Sequence, residues 1–269
     1  MDNPNGSQRY YIGHVDWTGF NGLVEYTGSE NFSAVVQFGS SSQTYQWEGF
    51  YTAAPSTKSR KITVDGGYIK GGANYRMNRN SNIFFNVGQI MRPPSFDGVF
   101  PNADYDFEEA DDITNESFTS FELGYGYISS NFKANINAYH TVWGDRTLRR
   151  STSIDDQGVR IIYDGVEQTH QGIEAEMTWY PSNRLRIRGM ASIGDWKYSK
   201  NFDGDAYFID NNQPAGTTGT LYLDGVKIGD AAQSVLYIGA DYKLSSKLSM
   251  DLDVMSFDHL HGRFGPLDS

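Results

Sequence analysis

The densest group of residues that could bind a metal ion is an acidic run in the first half of the chain. It comprises Asp104, Asp106, Glu108, Glu109, Asp111 and Asp112. Carboxylate oxygens suit Ca²⁺, but the run lacks the Asp-x-Asp-x-Asp-Gly order of an EF-hand loop. Blocks of like charge are usually solvated. We therefore predict a solvent-exposed connection here, with calcium binding as the alternative.

Two histidines near the end of the chain are the other candidate metal ligands. A strand would place His259 and His261 on one face, because alternate side chains share a face. A pair without a third ligand is weak evidence for zinc, and we predict no bound metal and no cofactor. No Ser, His and Asp stand in a nucleophile-elbow or similar frame, and cysteine is absent. We therefore predict that the protein is not an enzyme.

A third set of charged residues lies in segments where apolar and polar positions alternate. The set comprises Glu122, Lys133, Glu174, Glu176, Arg184, Arg186, Arg188, Asp251 and Asp253. Period-2 alternation is typical of a strand with one apolar and one wet face, and these charges occupy the wet parity. They would either line a polar ligand path or only solvate that face. We favour solvation, because no group of them converges on one loop.

The segment 171–196 shows the alternation most clearly. Its apolar parity holds Ile173, Ala175, Met177, Trp179, Leu185, Ile187, Ala191 and Ile193. A Pro-Ser-Asn turn joins the two arms, which predicts an antiparallel hairpin. We expect Glu176 to face Arg188, so that opposite charges pair across the wet side. Each arm is about 10 residues or longer, which is the length that a tilted strand needs to cross a bilayer.

Four further segments repeat this hairpin pattern. They cover residues 22–47, 61–91, 117–142 and 233–257. Residues 1 to about 20 lack clear alternation and are predicted to be a surface loop. The connections around 52–60, 92–116 and 200–220 are predicted to be irregular. The hairpins together predict an all-β fold, an antiparallel up-and-down meander of about ten long strands.

An aromatic residue recurs at one height in each predicted hairpin. Tyr26, Tyr75, Tyr127, Trp179 and Tyr242 lie on the apolar parity, each three positions before a turn residue. Connections on that side are tight, whereas those on the opposite side run roughly 15 to 35 residues. Aromatic girdles and such loop asymmetry are typical of outer-membrane barrels, because Tyr and Trp favour the lipid–water interface. We therefore predict part of a transmembrane β-barrel, with a soluble β-sandwich as the alternative.

Composition agrees with a sheet that has one wet face. The 269 residues include 29 Gly, 18 Tyr and 16 Phe, and the mean hydropathy is −0.54. The net charge of −11 argues against a nucleic-acid partner, which requires a basic stripe. No apolar run is long enough for a transmembrane helix. The first residues do not form a signal peptide, so for an exported protein we expect the chain to be incomplete.

Four short motifs resemble, in order, segments of TonB-dependent outer-membrane receptors. They are Arg92-Pro93-Pro94-Ser95-Phe96 with Phe100-Pro101, Asn115-Glu116 with Phe121-Glu122-Leu123-Gly124-Tyr125, Tyr139 to Trp143-Gly144-Asp145-Arg146, and Gly172-Ile173-Glu174. The resemblance covers roughly residues 20–265, and the Gly-, Tyr- and Asn-rich style is similar to Bacteroidetes-type receptors.

This resemblance implies a barrel of about 22 strands with a plug domain. The whole protein would import a scarce or large solute (a siderophore, glycan, peptide or cobalamin) with energy from the TonB complex. Its partners would be outer-membrane lipid, the plug domain, the TonB complex and a surface lipoprotein. We expect residues 1–269 to be a partial barrel domain without plug or final strands, a fragment of a protein in a Gram-negative outer membrane. The alternative function is a passive porin or an adhesin-type barrel.

Overall fold

The computed structural model describes residues 11–49, 57–101, 109–110, 112–154, 156–209 and 213–262. These residues form strands and one short helix: β1 (Tyr11–Tyr26), β2 (Phe32–Gly49), β3 (Thr57–Lys58), β4 (Ile62–Arg76), β5 (Ser81–Arg92), α1 (Phe96–Val99), β6 (Glu116–Ile128), β7 (Phe132–Ile154), β8 (Gln157–Ser182), β9 (Leu185–Tyr198), β10 (Phe202–Phe208), β11 (Pro214–Leu221), β12 (Ala232–Lys243) and β13 (Ser249–Leu260). None of the described residues forms a helix long and apolar enough to cross a membrane.

The strands belong to one antiparallel sheet. Ten long strands pair in chain order, β1-β2-β4-β5-β6-β7-β8-β9-β12-β13. The short strands lie beside this path, where β3 pairs with β2 and the β10–β11 hairpin pairs with β8. The predicted meander of ten long strands is therefore confirmed.

One face of this sheet is apolar and exposed. Directly paired residues of successive strands form rows on it, such as Phe85, Leu123, Ala138, Ile173 and Ile193 on β5 to β9. Leu123 is 58% exposed and Ile193 is 67% exposed. A soluble sheet would bury such a face, since large exposed apolar patches mark contact with lipid or protein. We call this surface the apolar face and the opposite one the polar face.

The short turns share one hydrogen-bonding pattern. A Ser or Asn side chain accepts the backbone N–H two residues further on, from Asn31 to Ser29 (3.3 Å), Asn80 to Asn78 (2.8 Å), Arg184 to Ser182 (3.3 Å) and Lys247 to Ser245 (3.2 Å). In the third hairpin Ser129, not the predicted Ser130, accepts the N–H of Phe132 at 3.2 Å. These side chains replace a backbone acceptor, which is why Ser and Asn favour turns.

The β7–β8 hairpin is longer than its alternation predicts. The sequence pattern ends its arms near residues 142 and 171, but the strands continue to Ile154 and start at Gln157. A bulge between Trp143 and Arg146, with Asp145 at φ 57°, shifts the alternation of apolar and polar residues. The sequence pattern therefore does not show that the two strands continue beyond it. The prediction of a long connection here is wrong, because the two strands pair with each other as far as Ile154 and Gln157.

Two other segments predicted to be irregular are strands. Residues 11–20 belong to β1, which pairs with β2 along its length, and much of 200–220 forms the β10–β11 hairpin. Gly, Asn and Asp lower intrinsic strand preference, but cross-strand pairing overrides it. Residues 1–10 lie outside the described ranges.

Two small hydrophobic cores lie at the end of the sheet opposite the short turns. The first packs Tyr45, Trp47 and Ile62 against Val99 and Phe100. The second packs Tyr163, Val166, Phe202, Leu221 and Leu223. In the first core, α1 lies over the polar-face side of β1, where the ring of Phe96 covers Gly13. These contacts fix the described parts of the long connections to the sheet.

Candidate functional site

The polar face carries the charged residues predicted from the alternation. Its members are Glu122, Lys133, Glu174, Glu176, Arg186, Arg188, Asp251 and Asp253, each adjacent in sequence to a residue of the apolar face. The register places them on one face of the sheet. Their contact with a ligand path stays a prediction.

The predicted aromatic girdle lies on the apolar face beside the short turns. Tyr26, Tyr75, Tyr127, Trp179 and Tyr242 are between 36% and 54% exposed. Two of them contact a ring on the next strand, since Tyr26–Phe32 and Tyr127–Phe132 have centroids 6.1 Å apart. Their place at a lipid–water interface stays a prediction.

Three carboxylates of the polar face are each paired with an asparagine directly opposite on the neighbouring strand. Asn86 donates to Glu122 at 2.9 Å, Asn137 to Glu174 at 3.4 Å and Asn135 to Glu176 at 3.2 Å. Within the described part of the chain, no Lys or Arg forms an ion pair with any of the three. An amide satisfies hydrogen bonds without supplying a positive charge, so none of these three carboxylates is paired with a cation in the described part of the chain.

The expected pairing of Glu176 with Arg188 is wrong. Register places Thr178 opposite Arg188 and Met190 opposite Glu176. The turn of the β8–β9 hairpin sets this offset, because a register shift follows Trp179. Position along alternating strands gives the face of a side chain but not its partner.

Arg188 instead joins an ion-pair network across β9, β12 and β13. Its guanidinium contacts Asp241 at 3.1 Å and Asp253 at 2.9 Å, while Arg186 contacts Asp241 at 2.9 Å. Tyr237 donates to Asp253 at 2.6 Å. Asp241 was missing from the predicted set. Its place among the polar positions of the fifth hairpin could have identified it.

Three of the four resemblance motifs meet at one cluster above the polar face. Arg92 pairs with Glu116, and Trp143 donates its indole N–H to Glu116 at 3.0 Å. The guanidinium of Arg146 lies 3.7 Å from the Trp143 ring centroid, and Phe118 stacks on the same ring at 4.9 Å. The sheet therefore brings together residues that are up to 54 positions apart, from Arg92 to Arg146.

Next to this cluster lies a cleft rich in aromatic side chains, which we call the aromatic cleft. Its volume is about 420 Å³, and its walls are Phe118, Ser120, Glu122, Asn137, Tyr139, Thr141, Trp143, His170, Glu174 and Trp196. Aromatic residues at polar-face positions are unusual for a face that only contacts water. Their positions in the alternation could have indicated this cleft from the sequence. The sequence-based set included only its two carboxylates.

Two glycines make room for the floor of the aromatic cleft. A Cβ on Gly172 would lie 2.7 Å from the Tyr139 hydroxyl, and one on Gly194 would lie 2.7 Å from the Trp196 indole nitrogen. The two rings therefore lie over bare backbone. Trp196 donates to the Tyr139 hydroxyl at 2.8 Å, which joins them across β8.

The far ends of β7 and β8 carry a separate group of buried polar side chains. Arg149 donates to the backbone oxygen of Asp97 and so ties the α1 segment to β7. Burial lowers the pKa of Arg149 and raises the pKa of Tyr163.

Most of the predicted acidic run, including Asp104, Asp106, Glu108 and Asp111, lies outside the described residues. Glu109 pairs with Arg60 and raises the pKa of that guanidinium. His259 is the penultimate residue of β13, has φ 53° and contacts Ser234 at 3.2 Å, while His261 follows the strand. The prediction that the two histidines share a strand face is therefore wrong. The described residues contain no group of three or more metal-ligating side chains.

Two solved structures have a similar fold. The siderophore receptor PiuA from Acinetobacter baumannii matches with a TM-score of 0.66 and 11% identity over 90% of this chain and 33% of that chain. The copper transporter OprC matches with a TM-score of 0.51 and 13% identity over 88% of this chain and 41% of that chain. No protein-family model matches the sequence, and neither does any curated protein. At these identities the similarity shows the fold, an antiparallel meander sheet of the kind present in such receptors.

Proposed function

We propose that the chain is a section of an outer-membrane β-barrel that imports a solute. The observation that carries this proposal is the two-sided sheet, which exposes a broad apolar face and keeps charged residues on the other. The ten long strands have 12 to 26 residues, more than the roughly 9–11 that a tilted crossing needs. The fold similarity to a siderophore receptor and a copper transporter supports the same class.

The partners follow from this class. Lipid would contact the apolar face, and the polar face would line a lumen, where charged side chains cost little. The chain spans only 33% of the PiuA chain and 41% of the OprC chain. We infer that the whole protein adds a plug domain and couples import to the TonB complex. A Bacteroidetes-type origin and a surface lipoprotein partner rest on the motif resemblance alone.

Cysteine accessibility tests the orientation of the two faces, because the native chain contains no cysteine. Single cysteines at Ala134, Ile136 and Leu252 should react slowly with a polar maleimide in membranes, and brominated lipid should quench an attached fluorophore. Cysteines at the neighbouring Asn135, Asn137 and Asp253 should react quickly and resist quenching. Equal reactivity on both parities would refute a lipid-facing sheet.

Energised import is tested by uptake in cells with and without the TonB complex. Import of the cognate solute should require that complex, and binding at the cell surface should not. Uptake that persists without it would favour the passive porin. Surface binding to host material without any uptake would favour the adhesin-type barrel.

A further inference from the structure

We propose that the aromatic cleft binds an organic cation, a ligand that carries a protonated amine, a guanidinium or a quaternary ammonium group. The inference deepens the import function proposed above and rests on it, since it names the class of solute that the polar face would hold. Its basis is the balance of hydrogen-bond donors and acceptors in the cleft, together with its charge and its rings.

The carboxylates provide the charge. Glu122 and Glu174 line the aromatic cleft and are bonded to neutral amides of Asn86 and Asn137. A carboxylate only accepts hydrogen bonds and has about four lone-pair sites. Both residues therefore keep unused acceptor capacity. A cleft lined with one sign of charge concentrates counter-ions, so these two side chains favour a cation.

Several donors of the aromatic cleft are already used within the protein. Trp143 donates its N–H to Glu116 at 3.0 Å, and Trp196 donates to Tyr139 at 2.8 Å. The hydroxyls of Ser120 and Thr141 bond each other at 2.7 Å. An anion needs donors, and a sugar needs donors and acceptors together. The hydroxyl of Tyr139 and one hydroxyl of the Ser120–Thr141 pair remain as donors, against two carboxylates that each accept a single bond from an asparagine. Open acceptor sites therefore outnumber donors, which suits a ligand that mainly donates.

The aromatic rings of the cleft also favour a cationic ligand. The faces of aromatic rings are negative and attract cations within about 6 Å of the centroid. Beside the cleft the protein's own guanidiniums show this, since Arg146 lies 3.7 Å from the Trp143 centroid and Arg92 lies 5.4 Å from that of Phe118. Among the described residues, no Lys or Arg stacks on Tyr139 or Trp196. The ring of Trp196 contacts the imidazole of His170, with centroids 5.4 Å apart, so the ring of Tyr139 is the floor ring that we assign to an external cation.

The size of the cleft agrees with a small molecule. Its volume of about 420 Å³ falls in the range of small-ligand pockets, about 300–1,000 Å³. Tetraethylammonium or agmatine would fit between the floor rings and the two carboxylates.

Calorimetric titration of the purified chain in detergent tests the proposal. The probes are tetraethylammonium and agmatine as cations, maltotriose as a neutral sugar and citrate as an anion. We expect heat from the cations and none from the others, and we expect added NaCl to weaken the cations. The exchange of both carboxylates, Glu122→Gln with Glu174→Gln, should raise the cation Kd at least about tenfold, because it removes charge-assisted bonds.

The matched control is Glu176→Gln. Glu176 has the same Asn partner chemistry and the same face, but it lies outside the aromatic cleft, so its exchange should leave the Kd almost unchanged. Equal losses in the control and in the double variant, or tighter binding of maltotriose or citrate, would overturn the proposal. If the double variant misfolds, Glu174→Gln alone serves, and an unchanged Kd there counts against the proposal.

This assay needs neither a membrane nor an energising partner. A negative result would therefore leave the import proposal intact. Conversely, cation binding without any energised uptake would support the site and refute import.

Discussion

The indole N–H of Trp196 on β9 donates to the hydroxyl of Tyr139 on β7 at 2.8 Å, across the intervening strand β8. The bond spans that strand because β8 presents Gly172 at this height, opposite both Tyr139 and Gly194. The two glycines thus let two aromatic residues, 57 positions apart in the chain, meet on the polar face.

The first prediction concerns this glycine. Gly172→Ala would place a Cβ 2.5 Å from the Ile193 oxygen and 2.7 Å from the Tyr139 hydroxyl. We expect a loss of about 1–3 kcal/mol in the free energy of unfolding, the usual range for overpacking. Urea titration in lipid vesicles measures it. Gly71→Ala is the control, because its Cβ would approach no atom closer than 3.8 Å. A similar loss in both variants would contradict the steric explanation.

The second prediction concerns the cluster at Trp143. Trp143→Phe keeps a ring against Arg146 and Phe118 but removes the donor to Glu116. We expect it to cost about 1 kcal/mol, as for one lost hydrogen bond. Trp143→Ala also removes the stacking and should cost about 2 kcal/mol or more. Equal costs in the same unfolding assay would show that the rings contribute nothing.

The third prediction concerns the ion pair of Arg188 with Asp253. Both side chains are partly exposed, at 32% and 46%. A double-mutant cycle with Arg188→Met and Asp253→Asn should give a coupling of about 0.5 kcal/mol, as for other exposed pairs. The coupling should shrink in high salt, because screening acts on solvent-exposed charges. A cycle of Lys133→Met with Asp253→Asn is the control and should show no coupling.

The fourth prediction compares the two faces at adjacent positions. Ala134→Arg places a charge on the apolar face and should cost about 2–4 kcal/mol near the bilayer midplane. Asn135→Arg places the same charge on the polar face beside Glu176 and should cost far less. Folding yield into vesicles, followed by urea titration, measures both. Equal penalties would show that the two faces meet the same environment.

The fifth prediction concerns the chain in plain buffer. Side chains such as Phe121, Leu123, Leu236 and Leu252 are 47% to 66% exposed, and the outer edges of β1 and β13 have no partner strand among the described residues. Open edges and broad apolar patches promote association. Size-exclusion chromatography without detergent should therefore show aggregates, and detergent should restore a defined species. A sharp detergent-free monomer peak would overturn the membrane interpretation.

The sequence alone determined the architecture and the facing of its residues. Strand alternation depends on the backbone of each residue, so the two faces and the order of the ten strands could be read locally. Turn chemistry is local too, and Ser29, Asn78, Ser182 and Ser245 were correctly placed. The same local reasoning failed at Asp145, because a positive-φ bulge interrupts the period on which it depends.

Only the tertiary structure decided which residues meet. Register is set by the whole hairpin, so Arg188 contacts Asp241 and Asp253 and not Glu176. The aromatic cleft likewise depends on four strands, β6 to β9, lying side by side, with two glycines below its floor rings. Pairing between strands is a property of the sheet, and no single segment encodes it.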